Sequence, residues 1–261
     1  MVARARSLQA SLLPHGWLDA ARQVSLFGLA YLCYRLVRGW ADGSANAAFV
    51  HARDLISLER TLHVFVEPSV QAWASGSHFV IVLASWLYVN AQGPITIGAL
   101  VYLYLRHNSS FYFVRNMFMI AMAIALVGYV VFPTAPPRFL PEWGFTDTVA
   151  DSLHVTVSNK SAAMSALFNP YAAVPSMHVA FALMIGWPLA RLARNRAVAV
   201  MGAVYPFVMT FVIVVTANHF LVDALLGAIT AGVSAYGAIW LARARPVWRF
   251  AVAPVRVGAG G

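Results

Sequence analysis

The chain is short of charge. Only 10% of its 261 residues are Asp, Glu, Lys or Arg, where about 25% is ordinary for a soluble domain. A water-soluble fold of this length has no means of covering itself with so few ionised groups, so that class is excluded. Cysteine is nearly absent. The sole example, Cys33, lies inside an apolar run, which excludes an intrachain disulfide and says nothing about redox compartment. Neither His-Glu-x-x-His nor Cys-x-x-Cys occurs, so the spacings that commonly hold zinc are missing and no metal or other cofactor is expected. There is no internal repeat, and no low-complexity tract beyond the closing Gly-Ala-Gly-Gly.

Hydrophobic residues are what the chain has in abundance. The set AVILMFWYC makes up 61% of the positions, against about 45–50% for soluble domains even when glycine is counted. The expected fold is all-α: a polytopic membrane protein forming a six-transmembrane-helix bundle with an interfacial amphipathic segment. It is read as a single membrane-embedded domain over 1–261, with its core at about 20–242 and short basic termini. A span needs roughly 17–25 mostly apolar residues, and the six fall at about 22–41, 79–106, 113–132, 177–193, 197–216 and 220–242. Gly93-Pro94 interrupts the second, so a kinked span or a short interfacial helix followed by a span is expected there. Ala45-Asn46-Ala47 has the form of a signal-peptide cleavage site. Arg35 and Arg38 interrupt the apolar run before it, so the expectation is that it is not cleaved.

Two connections are long. Residues 45–75 carry Arg53, Asp54, Glu59, Arg60 and Glu67 among apolar residues, too polar to cross and suited to the interface. Residues 133–176 open with Pro133-Thr134-Ala135-Pro136-Pro137-Arg138 and contain Glu142, Asp147, Asp151 and Lys160. With six spans, both termini share a side, and twelve of the eighteen basic residues fall there with Asp19 as the one acid. The positive-inside rule places that side in the cytoplasm. The net charge of +9 therefore reports orientation in a cell membrane, and no nucleic-acid partner is expected.

Three chemistry-bearing residues fall at the opposite, extracytoplasmic ends of their spans. His178 starts the fourth span in Pro175-Ser176-Met177-His178, and His219 and Asp223 start the sixth. A four-residue spacing puts His219 and Asp223 on one helical face, one turn apart. The carboxylate can then fix one ring nitrogen and leave the other nucleophilic. Each residue alone also fits a plainer role, as an interfacial histidine capping a helix end or a carboxylate in a helix's first turn, where the dipole favours it. A buried acid in lipid costs about 2.5–3.5 kcal/mol on insertion scales, so three such residues gathered at one membrane face point to a site.

The pattern resembles the type 2 phosphatidic acid phosphatase superfamily, whose second motif is Pro-Ser-Gly-His and third Ser-Arg-x5-His-x3-Asp. It is closer still to the branch containing inositol phosphorylceramide synthase, which has Pro-Ser-Met/Leu-His and Asn-His-x3-Asp-x3-Gly. Here stand Pro175-Ser176-Met177-His178 and Asn218-His219-Phe220-Leu221-Val222-Asp223, with Gly227 following. Pro136-Pro137-Arg138, and Glu67 with Gln71, also look like that branch. The resemblance implies an integral-membrane lipid phosphatase or phosphotransferase acting on a lipid phosphate or phosphodiester. His219 would be the nucleophile that forms a phosphohistidine, Asp223 its orienting carboxylate and His178 the general acid. Ser176 and nearby backbone amides would hold phosphate oxygens. Transfer would end on water or on a hydroxyl acceptor, a lipid or a sugar.

Two family cations are missing. The first motif, Lys-x6-Arg-Pro, has Val131 seven residues before Arg138 and Phe139 after it, and Ile213 stands where the third motif has arginine. Phosphoryl transfer still needs cations. Arg138 is the first candidate, Arg35 and Arg38 follow, and Lys160 is weaker. Arg115 lies on the cytoplasmic side. A headgroup-snorkelling role would equally suit any of these arginines. A transporter is the alternative of another class, since intramembrane charges and broken helices are typical there. The polar residues gather at one face and no inverted repeat is seen, which counts against it. A non-catalytic assembly protein would have no use for the histidine–acid grouping, and the vanadium haloperoxidases that share the motifs are soluble.

Overall fold

A computed structural model describes residues 13–40, 45–153 and 169–244. Among them the chain is helical: α1 (Gly16–Trp40), α2 (Ala45–Thr61), α3 (Glu67–Ser75), α4 (His78–Asn90), α5 (Gln92–Arg106), α6 (Asn108–Val131), α7 (Thr148–Leu153), α8 (Met177–Leu192), α9 (Arg196–Val215) and α10 (Leu221–Ala244). Two short 3-10 turns, Pro137–Phe139 and Pro141–Trp143, shape the connection after α6.

The apolar helices make this a membrane protein, yet they do not establish six crossings. Among the described residues α6, α9 and α10 are long and apolar enough to span, and α3 with α4, bent by 118° at their junction, would make a fourth as a broken span or re-entrant loop. α8 is apolar but only 16 residues long. α1 has the length, with 25 residues, but Asp19, Arg22, Arg35 and Arg38 dilute its hydropathy. The expected span at 79–106 is two helices, broken at Ala91. Pro94 has no N–H for the carbonyl of Asn90, which accounts for a break just ahead of Gly93-Pro94.

α8 is the hub of the bundle and packs on α9, α10, α6 and α5, while α6 also contacts α10, α5 and α1. Small residues set two of these approaches. A Cβ on Gly186 would meet the carbonyl oxygen of Gly202 at 2.5 Å, so α8 and α9 touch backbone to backbone. Gly128 of α6 and Gly227 of α10 clamp the turn before α8. A Cβ on the first would sit 2.8 Å from Pro175 Cδ, and on the second 2.3 Å from the Ser176 carbonyl oxygen. Close approach of this kind is how helices associate in lipid, where apolar burial gives no net drive.

At the end of the bundle away from His219, a second set of polar side chains is buried. Asp19 accepts hydrogen bonds from Tyr104 (2.8 Å), Tyr112 (2.7 Å) and Gln23 (2.9 Å). Arg115, fully buried, donates to Gln23 and to Asn116 and lies over the Tyr112 ring. This joins α1 to α5 and α6.

The stretch 45–75, expected at the interface, forms α2 and α3 and builds a core of its own. Ala48, Ala52, Leu55 and Ile56 of α2 pack with Ala135, Leu140, Phe145, Val174, Ala217 and Phe220. α2 thus covers the 132–147 connection and the start of α10. Its partner loop is stitched down by backbone bonds, Ala135 N–H to Ala48 O (3.0 Å), Thr134 N–H to Tyr171 O (2.8 Å) and Arg138 N–H to Ala217 O (2.8 Å). Glu59 and Glu67, two of the charged residues of this stretch, are fully buried. The reason is local: they accept the amide hydrogens of Val222 and Leu221, each at 2.8 Å, at the start of α10.

Candidate active site

The turn that ends α9 places the first residues of the site. Thr216 donates to Val212 O, and Ala217 adopts a left-handed conformation with φ of 48°, uncommon for a residue with a Cβ. The chain reverses there, so Asn218 and His219 project beside the 132–147 connection while Phe220 enters the second core. α10 then begins with three consecutive amides each held by a carboxylate: Phe220 by Asp223 (2.9 Å), Leu221 by Glu67 and Val222 by Glu59 (2.8 Å each). Side-chain carboxyl oxygens at these positions satisfy the unpaired N–H groups of a first turn.

Asp223 Oδ2 lies 3.4 Å from His219 Nδ1, the two side chains being 0% and 7% exposed. A ring with Nδ1 toward the carboxylate presents Nε2 on its far side. His178, at the start of α8, stands edge-on to His219 with ring centroids 5.6 Å apart, and its other face stacks on Tyr88 at 4.6 Å. The two helix starts are joined directly, because the Ser176 N–H donates to the Asp223 carbonyl at 3.1 Å. The Val174–Pro175 peptide is cis.

Arg138 completes the group. Its guanidinium donates from Nη1 to Asn218 Oδ1, pairs through Nε with Asp147 Oδ2 at 3.4 Å, and lies over the Phe139 ring. Asp147 is itself fixed, since its Oδ1 accepts from Ala150 N–H at the start of α7. Arg138, Asn218, His178 and His219 border one recess of about 60 Å³, partly open, with Tyr34, Tyr88, Tyr129, Asn169, Met177 and Pro136 among the other walls.

The sequence candidates fare unequally. His178, His219 and Arg138 border the recess together, and Asp223 stands behind His219. Ser176 is fully buried and does not line it. Its amide is committed to Asp223, and its hydroxyl has no hydrogen-bond partner among the described residues. Arg35 does not border the recess either; its neighbour Tyr34 does, and the Tyr34 and Tyr129 hydroxyls lie 3.2 Å apart. The Arg38 side chain and Lys160 lie outside the described residues. Arg115 belongs to the buried network at the other end of the bundle. No group of three His, Cys, Asp or Glu side chains suited to a metal ion occurs among the described residues.

Sequence reasoning missed the Glu59 carboxyl. Burial, with the Glu67 carboxyl beside it, pushes Glu59 up to about 9. It therefore keeps its proton at neutral pH. The signal was available, because Ala48, Ala52, Leu55, Ile56 and Glu59 recur at helical spacing, which puts Glu59 on the apolar stripe. Asn218, Asp147 and Tyr88 were missed too. Asn218 stood inside a quoted motif, whereas nothing local marks Asp147 or Tyr88.

A family model described as the PAP2 superfamily matches residues 53–237, a range that takes in every described residue of the site except Tyr34. Neither a curated protein nor a solved structure matches the chain.

Proposed function

We propose, from the premise that this chain belongs to the PAP2 superfamily and has its phosphatase or phosphotransferase type of activity, that it transfers phosphoryl groups of a membrane lipid through a covalent phosphohistidine. The substrate is a lipid phosphate or phosphodiester. The observation that carries the reading is the recess in which two histidines, one backed by a buried carboxylate, meet a fixed arginine.

In the first step His219 Nε2 attacks phosphorus in line with the leaving oxygen. The N–P bond forms, the P–O bond to the lipid breaks, and His178 gives its proton to the departing alkoxide. Asp223, facing Nδ1, stabilises the positive charge that the phosphorylated ring carries. Arg138 and the His178 imidazolium offset charge on the phosphoryl oxygens, the role the missing family cations would have filled. In the second step His178 takes a proton from water or from an acceptor hydroxyl. The new P–O bond forms and the N–P bond breaks.

Transfer to a hydroxyl acceptor, as in the inositol phosphorylceramide synthase branch, is a second reading. Tyr34, Tyr88, Tyr129 and Asn169, which border the recess, favour it, because tyrosine and asparagine side chains suit a hydroxylated acceptor. Both readings place the protein in a cell membrane with six crossings, α8 and α1 among them. The termini face the cytoplasm and the recess opens on the other side, as the arginine asymmetry requires.

Brief reaction with phosphate-labelled lipid phosphate should leave acid-labile, base-stable label on the protein. His219→Ala should abolish labelling and turnover together. A folded His219→Ala enzyme with undiminished turnover would remove the mechanism. Whether product phosphorus appears as inorganic phosphate or on an added alcohol separates hydrolysis from transfer.

A further inference from the structure

One short helix touches both halves of the site. Glu67 and Gln71 stand one turn apart on α3 and are 0% and 2% exposed, although neither borders the recess. Glu67 Oε1 accepts the Leu221 N–H at 2.8 Å, two residues beyond His219. Gln71 holds both backbone groups of Thr146, accepting its N–H at 3.1 Å and donating to its carbonyl at 2.9 Å. Thr146 precedes Asp147, the carboxylate that pairs with Arg138. Two chains of contact thus leave α3. One runs through Leu221 to the turn carrying His219, and the other through Thr146 and Asp147 to the Arg138 guanidinium.

We propose that Glu67 and Gln71 are paired positioning residues, with Glu67 setting the nucleophile and Gln71 setting the phosphate-binding arginine. The assignment rests on the phosphoryl-transfer reading above. Chemistry explains the residue types. A carboxylate only accepts, and one backbone N–H is all that Glu67 must hold. An amide both accepts and donates, and Thr146 offers one N–H and one C=O. The spacing of four residues on a rigid helix then fixes how far Arg138 stands from His219. α3 is itself anchored, since Ala74 packs with Ile81, Ala84, Val212 and Val215 in a separate apolar cluster.

The two contacts predict different kinetic defects. Gln71→Ala frees the loop at Thr146 and lets Arg138 wander, so phosphate binding should suffer. Glu67→Ala frees the turn at Leu221, so the attack by His219 should suffer. The test uses full-length protein in detergent, with orthovanadate affinity as the binding reading and single-turnover labelling from p-nitrophenyl phosphate as the chemical one. Gln71→Ala should weaken vanadate about tenfold and slow labelling at saturation by no more than about threefold; Glu67→Ala should do the reverse. The conservative variants sharpen the distinction. Glu67→Gln retains an oxygen acceptor for Leu221 and should recover labelling to within about threefold of wild type. Gln71→Glu loses the donor to Thr146 and should not recover vanadate binding.

If both alanine variants lose binding and chemistry in the same proportion, in step with a fall in melting temperature, α3 is merely structural and the proposal is overturned. Wild-type behaviour in both overturns it as well. A wild-type protein that neither binds vanadate nor takes label would instead sink the phosphoryl-transfer reading, and this inference with it.

Discussion

Replacing Gly227 by alanine should disable the site without touching any residue that faces the recess. The added Cβ would lie 2.3 Å from the Ser176 carbonyl oxygen and 3.2 Å from its carbonyl carbon. An ordinary carbon–oxygen contact is about 3.3–3.6 Å, so α10 and the turn before α8 must part by about 1 Å. Both neighbours at the contact are backbone, so no side chain can swing aside to absorb the change. The hydrogen bond from Ser176 N–H to Asp223 O, 3.1 Å long, spans the same gap and would stretch beyond use. Asp223 and His219 travel with α10 while His178 travels with α8, so the separation falls between the two histidines. A misplacement of about 1 Å costs on the order of a hundredfold in rate, and the overpacking itself about 1–3 kcal/mol of stability. The assay is turnover of a phosphate ester in detergent, beside a melting curve. Gly232→Ala on the same helix is the control, because a Cβ there meets nothing within 4 Å and alanine improves helix propensity by up to about 1 kcal/mol. A Gly227→Ala enzyme that turns over at the wild-type rate would refute the claim that this contact sets the distance between the histidines.

Arg138→Ala should lower kcat/KM about a hundredfold, and Arg138→Lys should recover only part, because lysine cannot hold Asp147 and Asn218 at once while facing phosphate; unchanged kcat/KM in Arg138→Ala would move phosphate binding to another group. Glu59 is raised from 4.5 to about 9 in the folded protein. Between those values the folded state carries the extra proton, so its contribution to stability is greatest at the acidic end and falls as pH rises through that window. Glu59→Gln, which still offers an oxygen to the Val222 N–H, should flatten the fall of melting temperature with pH, and a variant with the wild-type slope would contradict the assignment. On a Cys33→Ser background, Asp151→Cys should react with an impermeant thiol reagent on intact cells and Arg194→Cys only after permeabilisation; the opposite pattern would put the recess in the cytoplasm.

The helical class and the grouping of His178 with His219 and Asp223 were legible because each depends on local pattern. Apolar runs report helices, and a four-residue spacing reports a shared face. Gly93-Pro94 likewise announced the break at Ala91, since proline's missing N–H acts only on its own turn. The number of crossings was not legible. α8 is apolar like α9 but only 16 residues long, and α1 has the length but is diluted by charge. Among the arginines, sequence could rank Arg138 first by its loop. That it is held by Asp147, across a turn and a short helix, is a tertiary fact with no periodic signature. Ser176 is a different case. Its place in a motif suggested a phosphate contact, but backbone geometry turns its amide toward Asp223 and leaves its hydroxyl inside.

The buried network around Asp19 bears on how the chain is made. α1 leaves the ribosome before α5 and α6, yet the groups that satisfy Asp19 beyond its own helix, Tyr104 and Tyr112, belong to those later helices. The same holds for Gln23, whose carbonyl oxygen takes a hydrogen bond from Arg115. Alone in lipid, a helix with an unmatched carboxylate is held at the surface by a penalty of a few kcal/mol. Once α6 arrives, that carboxylate becomes the attachment. The order of synthesis and the order of settling are therefore inverted at this end of the molecule: α1 emerges before α5 and α6 yet finds its place only with them.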